Sequence, residues 1–481
     1  MIEGTVLPTG PTTHGWTAVD FAATPTASAP ITWGQRALWM AILRKPDYQP
    51  KINLRRVVAV PRRAPADVLR AVGALLTRHS SLRTRLRTVD GELRQVVADR
   101  GSQPVLLVPA DTTADGVPTD IRAADGVRAD TRAADVTRVA DETAATLAST
   151  AFDHAEELPQ RIALILVAGR VRQVVIVFSH TTVDFRAAEL VLRDLRLLLL
   201  RGSIDTPAGL QSVDVAHREH DTAHRRRGER AVTHWVAGYG RLPRETLPPV
   251  GPPHSPRFRR GVLVSAAADT AVRMIANRHQ VTSSTVILAA TSLVLAKWSG
   301  NDVVGVYTMV SNRSLPGYDE AIAKLNQLGM VVVDLADRPA FADLLPRVWS
   351  AAMNAYRSAY YDPADMRTAF EAAGYPYATG INAHCYLNDI RLTTDADLFG
   401  HDTTPARVRA ALAGSSFDWT ESFDAFTWRT RIEIVDRPGG LGLALTADTT
   451  HLPPDRAERF LRDLDRLLVE AAFHDVPWPW L

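Results

Sequence analysis

Two stretches of this chain share one pattern. VIVFSHTTVDFRAAELVLRDLRLLL, from Val175 to Leu199, and GLALTADTTHLPPDRAERFLRDLDRLL, from Gly442 to Leu468, each read as an apolar strand, a short turn and an amphipathic helix. Leu192, Arg193, Asp194 and Leu195 align with Leu461, Arg462, Asp463 and Leu464. A strand that feeds a helix at the same place in two halves of similar size calls for two copies of one α/β unit. The 481 residues then divide into two lobes of about 200 each rather than three domains of about 150. His180 falls opposite Thr449 and Asp184 opposite Pro453, so only the first copy carries a histidine and an aspartate on its turn.

The remaining elements fit that plan. Residues 1–30, rich in Thr, Pro, Ala and Gly and without periodicity, are expected to form an extended lead-in. The N-terminal lobe is placed at 31–205. It opens on a helix capped by Thr32, with Trp33, Ala37, Leu38 and Ala41 on one face. A strand from Asn53 and a helix from Pro65 with the stripe Val68, Leu69, Val72, Leu75 and Leu76 follow. Residues 109–142, where the phrase RAAD occurs twice, read as a flexible or weakly helical surface insertion unable to bury a core. Arg161 to Val167 and Val171 to Phe178 form a hairpin through Gly169. Residues 206–257 are assigned as a polar linker with a helix around 225–238, and 258–481 as the C-terminal lobe. That lobe holds a buried helix at Ser283–Trp298 and a strand at Val303–Val310.

Composition narrows the function. A net charge of +2 with 22% charged residues argues against a nucleic-acid surface. One cysteine excludes an intrachain disulfide and zinc sites built on cysteine pairs. MIEGTVLPTG lacks a basic segment followed by an apolar one, and no apolar run reaches the roughly 20 residues of a membrane span, so a cytoplasmic protein without membrane contact is expected. His217, His220 and His224 would share a helix face, but no carboxylate completes a metal motif, and no metal is expected.

His180 sits where an apolar strand stops and a helix begins, a place where a side chain reaches a crevice. Imidazole near neutral pH can take a proton from an amine or hydroxyl and return it. Asp184, four residues on, is placed to cap the following helix or to fix the turn by pairing with an arginine.

Several stretches together resemble the condensation domains of nonribosomal peptide synthetases, within the chloramphenicol acetyltransferase-like superfamily. Thr32-Trp33-Gly34-Gln35-Arg36-Ala37-Leu38-Trp39 resembles S-x-A-Q-x-R-L-W, and Arg78 to Leu86, RHSSLRTRL, resembles R-H-E-x-L-R-T-x-F. Ser179-His180-Thr181-Thr182-Val183-Asp184-Phe185 stands for H-H-x-x-x-D-G, and Asn312-Arg313 for a Gly-Arg pair. LNQLGMVVVDL stands where the family has G-x-F-V-N-T, without its Asn-Thr. The likeness extends over about residues 28 to 475.

The resemblance implies an α/β fold of two chloramphenicol acetyltransferase-like lobes in a V-shaped pseudo-dimer with a tunnel between them. It implies an acyltransferase of specialised metabolism, here a free-standing, monomeric condensation enzyme. Acyl or peptidyl carrier proteins are its partners; it binds no cofactor, and phosphopantetheine arms on those carriers deliver a thioester to an amine or hydroxyl acceptor. His180 is then the catalytic residue. Asp184 supports it by pairing with an arginine, Arg313 first and Arg83 second, and Asn388 helps orient the acceptor. Ser179 in place of histidine keeps a hydrogen-bonding group. Phe185 in place of glycine adds a ring expected to narrow the tunnel or reshape the acceptor side. Two rivals stay open: an acyltransferase using coenzyme A, and a silent domain that recruits a carrier protein or a tailoring enzyme.

Overall fold

A computed structural model describes residues 15–23, 26–110, 127–376, 381–391 and 404–480. They form two compact units: Met1–His224 with Ser311–Asn326, and Arg225–Val310 with Gln327–Leu481.

Unit 1 runs β1 (Gly15–Ala22), β2 (Ala27–Pro30), α1 (Trp33–Arg44), β3 (Leu54–Arg63), α2 (Pro65–Arg78), β4 (Thr84–Val89), β5 (Glu92–Val97), β6 (Arg100–Pro109), α3 (Val127–Ala148), β7 (Gln160–Val167), β8 (Arg170–Phe178), α4 (Phe185–Arg201) and α5 (Ser212–Glu219). Its main sheet has the order β1-β6-β7-β8-β3, and β2-β5-β4 form a small second sheet. Successive side chains of a strand point to opposite faces, and β8 is covered on both. Val174 and Ile176 join Val72, Leu75, Val191 and Leu195 from α2 and α4. Val175 and Val177 meet Ala140, Ala144 and Leu147 from α3. That two-sided burial is why β8 reads as an unbroken apolar run.

Three expectations change. The lead-in is not merely extended: β1 pairs antiparallel with β6 and buries Val19 and Phe21, leaving its alternate residues exposed. The 109–142 segment lies partly outside the described residues, but its later part continues into α3, whose alanines pack on the sheet. Alanine is small enough to bring a helix close to a sheet, so a segment poor in large apolar residues still buries a face. On α1 the buried residues are Trp33, Gly34, Gln35 and Ile42 rather than Ala37, Leu38 and Ala41, because the helix is anchored through its first turn.

Unit 2 contains α6 (Thr222–Tyr239), β9 (Phe258–Ser265), α7 (Ala266–His279), α8 (Ser283–Ser299), β10 (Val303–Val310), β11 (Gln327–Asp334), α9 (Phe341–Arg357), α10 (Pro363–Ala372), β12 (Asn382–Asp389), α11 (Pro405–Ala411), β13 (Ser416–Phe423), β14 (Trp428–Arg437), β15 (Gly440–Asp448) and α12 (Pro454–Phe473). Its sheet order is β11-β10-β12-β14-β15-β9-β13. The 206–257 segment is more structured than a linker, since it supplies α5 and the whole of α6, which buries Ala231, Val232 and Trp235. No single described helix is long and apolar enough to cross a membrane; α8 is instead buried almost throughout its length.

The repeat in sequence is a repeat in topology. In unit 1, β6 pairs parallel with β7, β7 antiparallel with β8, and β8 antiparallel with β3. In unit 2, β12 pairs parallel with β14, β14 antiparallel with β15, and β15 antiparallel with β9. The last hairpin strand of each passes through a turn into the aligned helix, α4 or α12.

Candidate active site

The turn from Ser179 to Asp184 is held by its own polar groups. Ser179 N–H donates to the Pro159 carbonyl at 2.9 Å, and Thr182 N–H returns to the Ser179 carbonyl at 3.1 Å. Ser179 Oγ lies 2.7 Å from Thr181 Oγ1 and 2.9 Å from His154 Nε2. Where the resembling family has a histidine, a serine thus anchors the turn with help from a histidine on another loop. His154 is held neutral, its pKa lowered to about 4 by burial.

His180 Nδ1 lies 2.9 Å from the Val183 carbonyl. A carbonyl only accepts, so Nδ1 carries the proton and Nε2 carries the lone pair. Burial is the main cause that lowers the His180 pKa to about 4; the Lys324 and Arg56 charges push the same way, and the Val183 carbonyl and Asp184 oppose them. The ring is therefore neutral at physiological pH and presents Nε2 as an acceptor.

Asp184 caps α4. Its Oδ1 accepts from Ala187 N–H at 2.9 Å and from Arg313 Nη2 at 2.6 Å, while Oδ2 accepts from Leu325 N–H at 3.1 Å. Both side chains are buried, at 3% and 8% exposure, so the pair works outside the screening of water. Arg313 also donates through Nη1 to the carbonyls of Tyr318 at 3.1 Å and Ala321 at 2.9 Å. Before it, Asn312 adopts φ +57°, a left-handed conformation that asparagine tolerates better than most residues, which explains asparagine where the resembling family has glycine.

The other expected residues lie elsewhere. Arg83 makes no ion pair with Asp184; it donates to the carbonyls of Leu76 and Ala98 and ties α2 to the end of β5. Phe185, the first residue of α4, is 49% exposed and carries the Arg56 guanidinium 4.2 Å above its ring. Asn388 belongs to unit 2, on β12, where it lines a cavity of about 190 Å³ with Thr308, Tyr356 and Asp389. His217 and His220 end α5 whereas His224 belongs to α6, so the three do not share one helix face.

Two residues of the site were not anticipated. Arg56, on β3, donates through Nε to Glu189 at 2.7 Å. Lys324 is buried, donates from Nζ to the Asn326 carbonyl, and has its pKa lowered by burial to about 8 against the pull of Asp184. A signal for Lys324 was present: one of only four lysines in the chain, it interrupts the apolar run Ala321-Ile322-Ala323-Lys324-Leu325. A charge inside such a run needs a reason to be there.

Two α/β copies of one topology, one of them bearing a histidine turn, make up the chloramphenicol acetyltransferase-like class of fold. Within it the chain belongs to the condensation-domain family, whose family model matches residues 59–374. It is 27% identical over 330 residues to phosphinothricin tripeptide synthetase PhsC of Streptomyces viridochromogenes, covering 66% of this chain and 29% of that protein. Against the isonitrile lipopeptide synthase of Mycobacterium tuberculosis it is 27% identical over 361 residues, covering 70% of this chain and 13% of that one. The chain thus spans less than a third of the length of these relatives. Among solved structures it is similar to the condensation domain that mediates chain release from the enacyloxin polyketide synthase, with a TM-score of 0.69 and 20% identity over 95% of this chain and 85% of that one. The X-domain from teicoplanin biosynthesis, solved in complex with OxyB, gives a TM-score of 0.64 at 16% identity over 94% and 95%.

Proposed function

We propose that this chain joins an acyl or aminoacyl group, carried as a thioester on the phosphopantetheine arm of a carrier protein, to an amine or hydroxyl acceptor. The observation that carries this reading is the His180 ring, fixed by Nδ1–H on the Val183 carbonyl with Nε2 free to accept, in a turn clamped by Asp184 and Arg313. The acceptor nitrogen attacks the thioester carbonyl; the carbon–nitrogen bond forms, the carbon–sulfur bond breaks, and the thiolate leaves and takes up the proton.

The lowered pKa of His180 sets its part. A base with a pKa of about 4 cannot strip an ammonium with a pKa of about 8. It can accept a hydrogen bond from the neutral amine and take the proton once attack has made the nitrogen strongly acidic. Since a thioester is already activated, orienting the acceptor supplies much of the acceleration.

His180→Ala tests the assignment in a single-turnover assay with a carrier-bound donor. Product formation falls by about 10²- to 10⁴-fold if the ring acts as described. Unchanged turnover removes His180 from the mechanism. Acyl-coenzyme A supplied in place of the acyl carrier protein tells apart a coenzyme A-dependent reaction.

A second reading, a silent domain that recruits a carrier protein or tailoring enzyme, is favoured by Phe185 and its stacked Arg56 where the resembling family has glycine. Carrier binding without product over a broad substrate panel supports it, and single-turnover product excludes it.

A further inference from the structure

The charges around His180 do not balance group by group. The Asp184 carboxylate is committed to Arg313 and to the N–H groups of Ala187 and Leu325. Arg56 is partnered by Glu189. Lys324 is different: its side chain is buried, its Nζ donates to a backbone carbonyl, and it forms no ion pair among the described residues. Asp184, one residue away through the Leu325 N–H bond, acts on it only through space.

The backbone holds Lys324 firmly in this position. Leu325 is fixed on Asp184, Asn312 Nδ2 donates to the Leu325 carbonyl at 2.9 Å, and Gly34 at the start of α1 lies directly against the Lys324 carbonyl. A buried ammonium without a counter-ion is destabilising, and an anion bound beside it offsets that cost. Two further polar atoms of this region, Arg56 Nη2 and Asn326 Oδ1, are buried without hydrogen-bond partners among the described residues.

We propose that Lys324 binds a carboxylate on the acceptor, so that the site takes an untethered amino acid or a similar carboxylate-bearing amine, whose nitrogen is thereby brought to His180 Nε2. A carrier-bound acceptor has lost that negative charge to its thioester and gains nothing from Lys324. The proposal rests on the condensation reading of His180 and names the chemical class of its acceptor. Lys324 is thus a specificity-determining residue.

The test uses the full chain as wild type, Lys324→Met and Lys324→Arg, with a panel of L-amino acids and the matching amino-acid carboxamides as probes. Binding is read from NMR shifts of the His180 ring, and product is followed in parallel with a carrier-bound donor. In wild type at least one amino acid binds about ten-fold or more tightly than its carboxamide. Lys324→Met abolishes that preference without lowering the melting temperature, and Lys324→Arg retains part of it. Equal binding of acid and carboxamide, binding of neither, a preference that survives in Lys324→Met, or a lowered melting temperature in that variant overturns the proposal. The condensation reading is judged separately, by product formation in wild type against His180→Ala, so the failure of either is recognised by itself.

Discussion

The pair Asp184–Arg313 allows a quantitative test of how the histidine turn is held. Asp184→Ala removes the cap of α4, worth about 1 kcal/mol, leaves the Leu325 N–H without its acceptor, about 1–3 kcal/mol, and strands a buried guanidinium. Losing one partner of a buried pair is itself about 3–5 kcal/mol, and because these contributions overlap, the expected total is about 4 kcal/mol. Arg313→Met leaves a carboxylate that still accepts two N–H bonds but frees the carbonyls of Tyr318 and Ala321. The double variant carries neither stranded charge, so it should be scarcely less stable than the worse single variant, with a coupling energy of about 2–4 kcal/mol. The two units need not unfold together, so the cycle is best read from native-state hydrogen exchange of unit 1 amides, those of α4 in particular. Additive effects, with coupling below about 0.5 kcal/mol, would refute the view that this ion pair clamps the turn.

Three other outcomes follow from the packing and the buried histidines. Gly34→Ala drives a Cβ into the Lys324 carbonyl oxygen, so the segment carrying Lys324 and Leu325 must move; thermal denaturation should show a loss of about 1–3 kcal/mol with a parallel fall in turnover. Ala140→Asp on α3 buries a carboxylate against Val175 and Val177 and should destabilise unit 1 by more than about 3 kcal/mol in urea unfolding, whereas a surface insertion would tolerate it. His384 is buried and its pKa is lowered to about 4, by desolvation first and then by Arg429. Between about pH 6.5 and 4 the unfolded chain binds the proton that the folded chain refuses, so stability drops as pH falls through that window, by up to about 3 kcal/mol for this group; urea midpoints at pH 7 and 5 should differ less in His384→Phe than in wild type.

The sequence made the interior legible and the edges hard to read. Val303–Val310 is a strand as expected, and α8 extends the expected buried helix by one residue, because long apolar runs leave few alternatives. β1 and β13 escaped notice since an edge strand buries few side chains; β13 exposes nearly all of its residues and has little apolar pattern to detect. His180 and Asp184 were visible because strand, turn and cap residue are contiguous. Arg56 and Lys324 come to the same turn from more than a hundred residues away on either side, and no local pattern encodes such a meeting. Arg83 and Arg313 were both plausible partners on sequence; geometry separates them, since Arg83 is occupied by the carbonyls of Leu76 and Ala98.

The short segment Ser311–Asn326 belongs to unit 1 although β10 before it and β11 after it belong to unit 2. The covalent chain therefore passes between the units three times, and this has a practical meaning for anyone who wishes to divide or recombine such proteins. A cut after His224 yields a first fragment that keeps His180 but has lost Arg313, Lys324 and the Leu325 N–H. A graft that exchanges only the sequence before residue 225 pairs one parent's histidine turn with another parent's clamp. Exchanges should move 311–326 together with the first 224 residues, because inheritance of the site follows contact rather than sequence order.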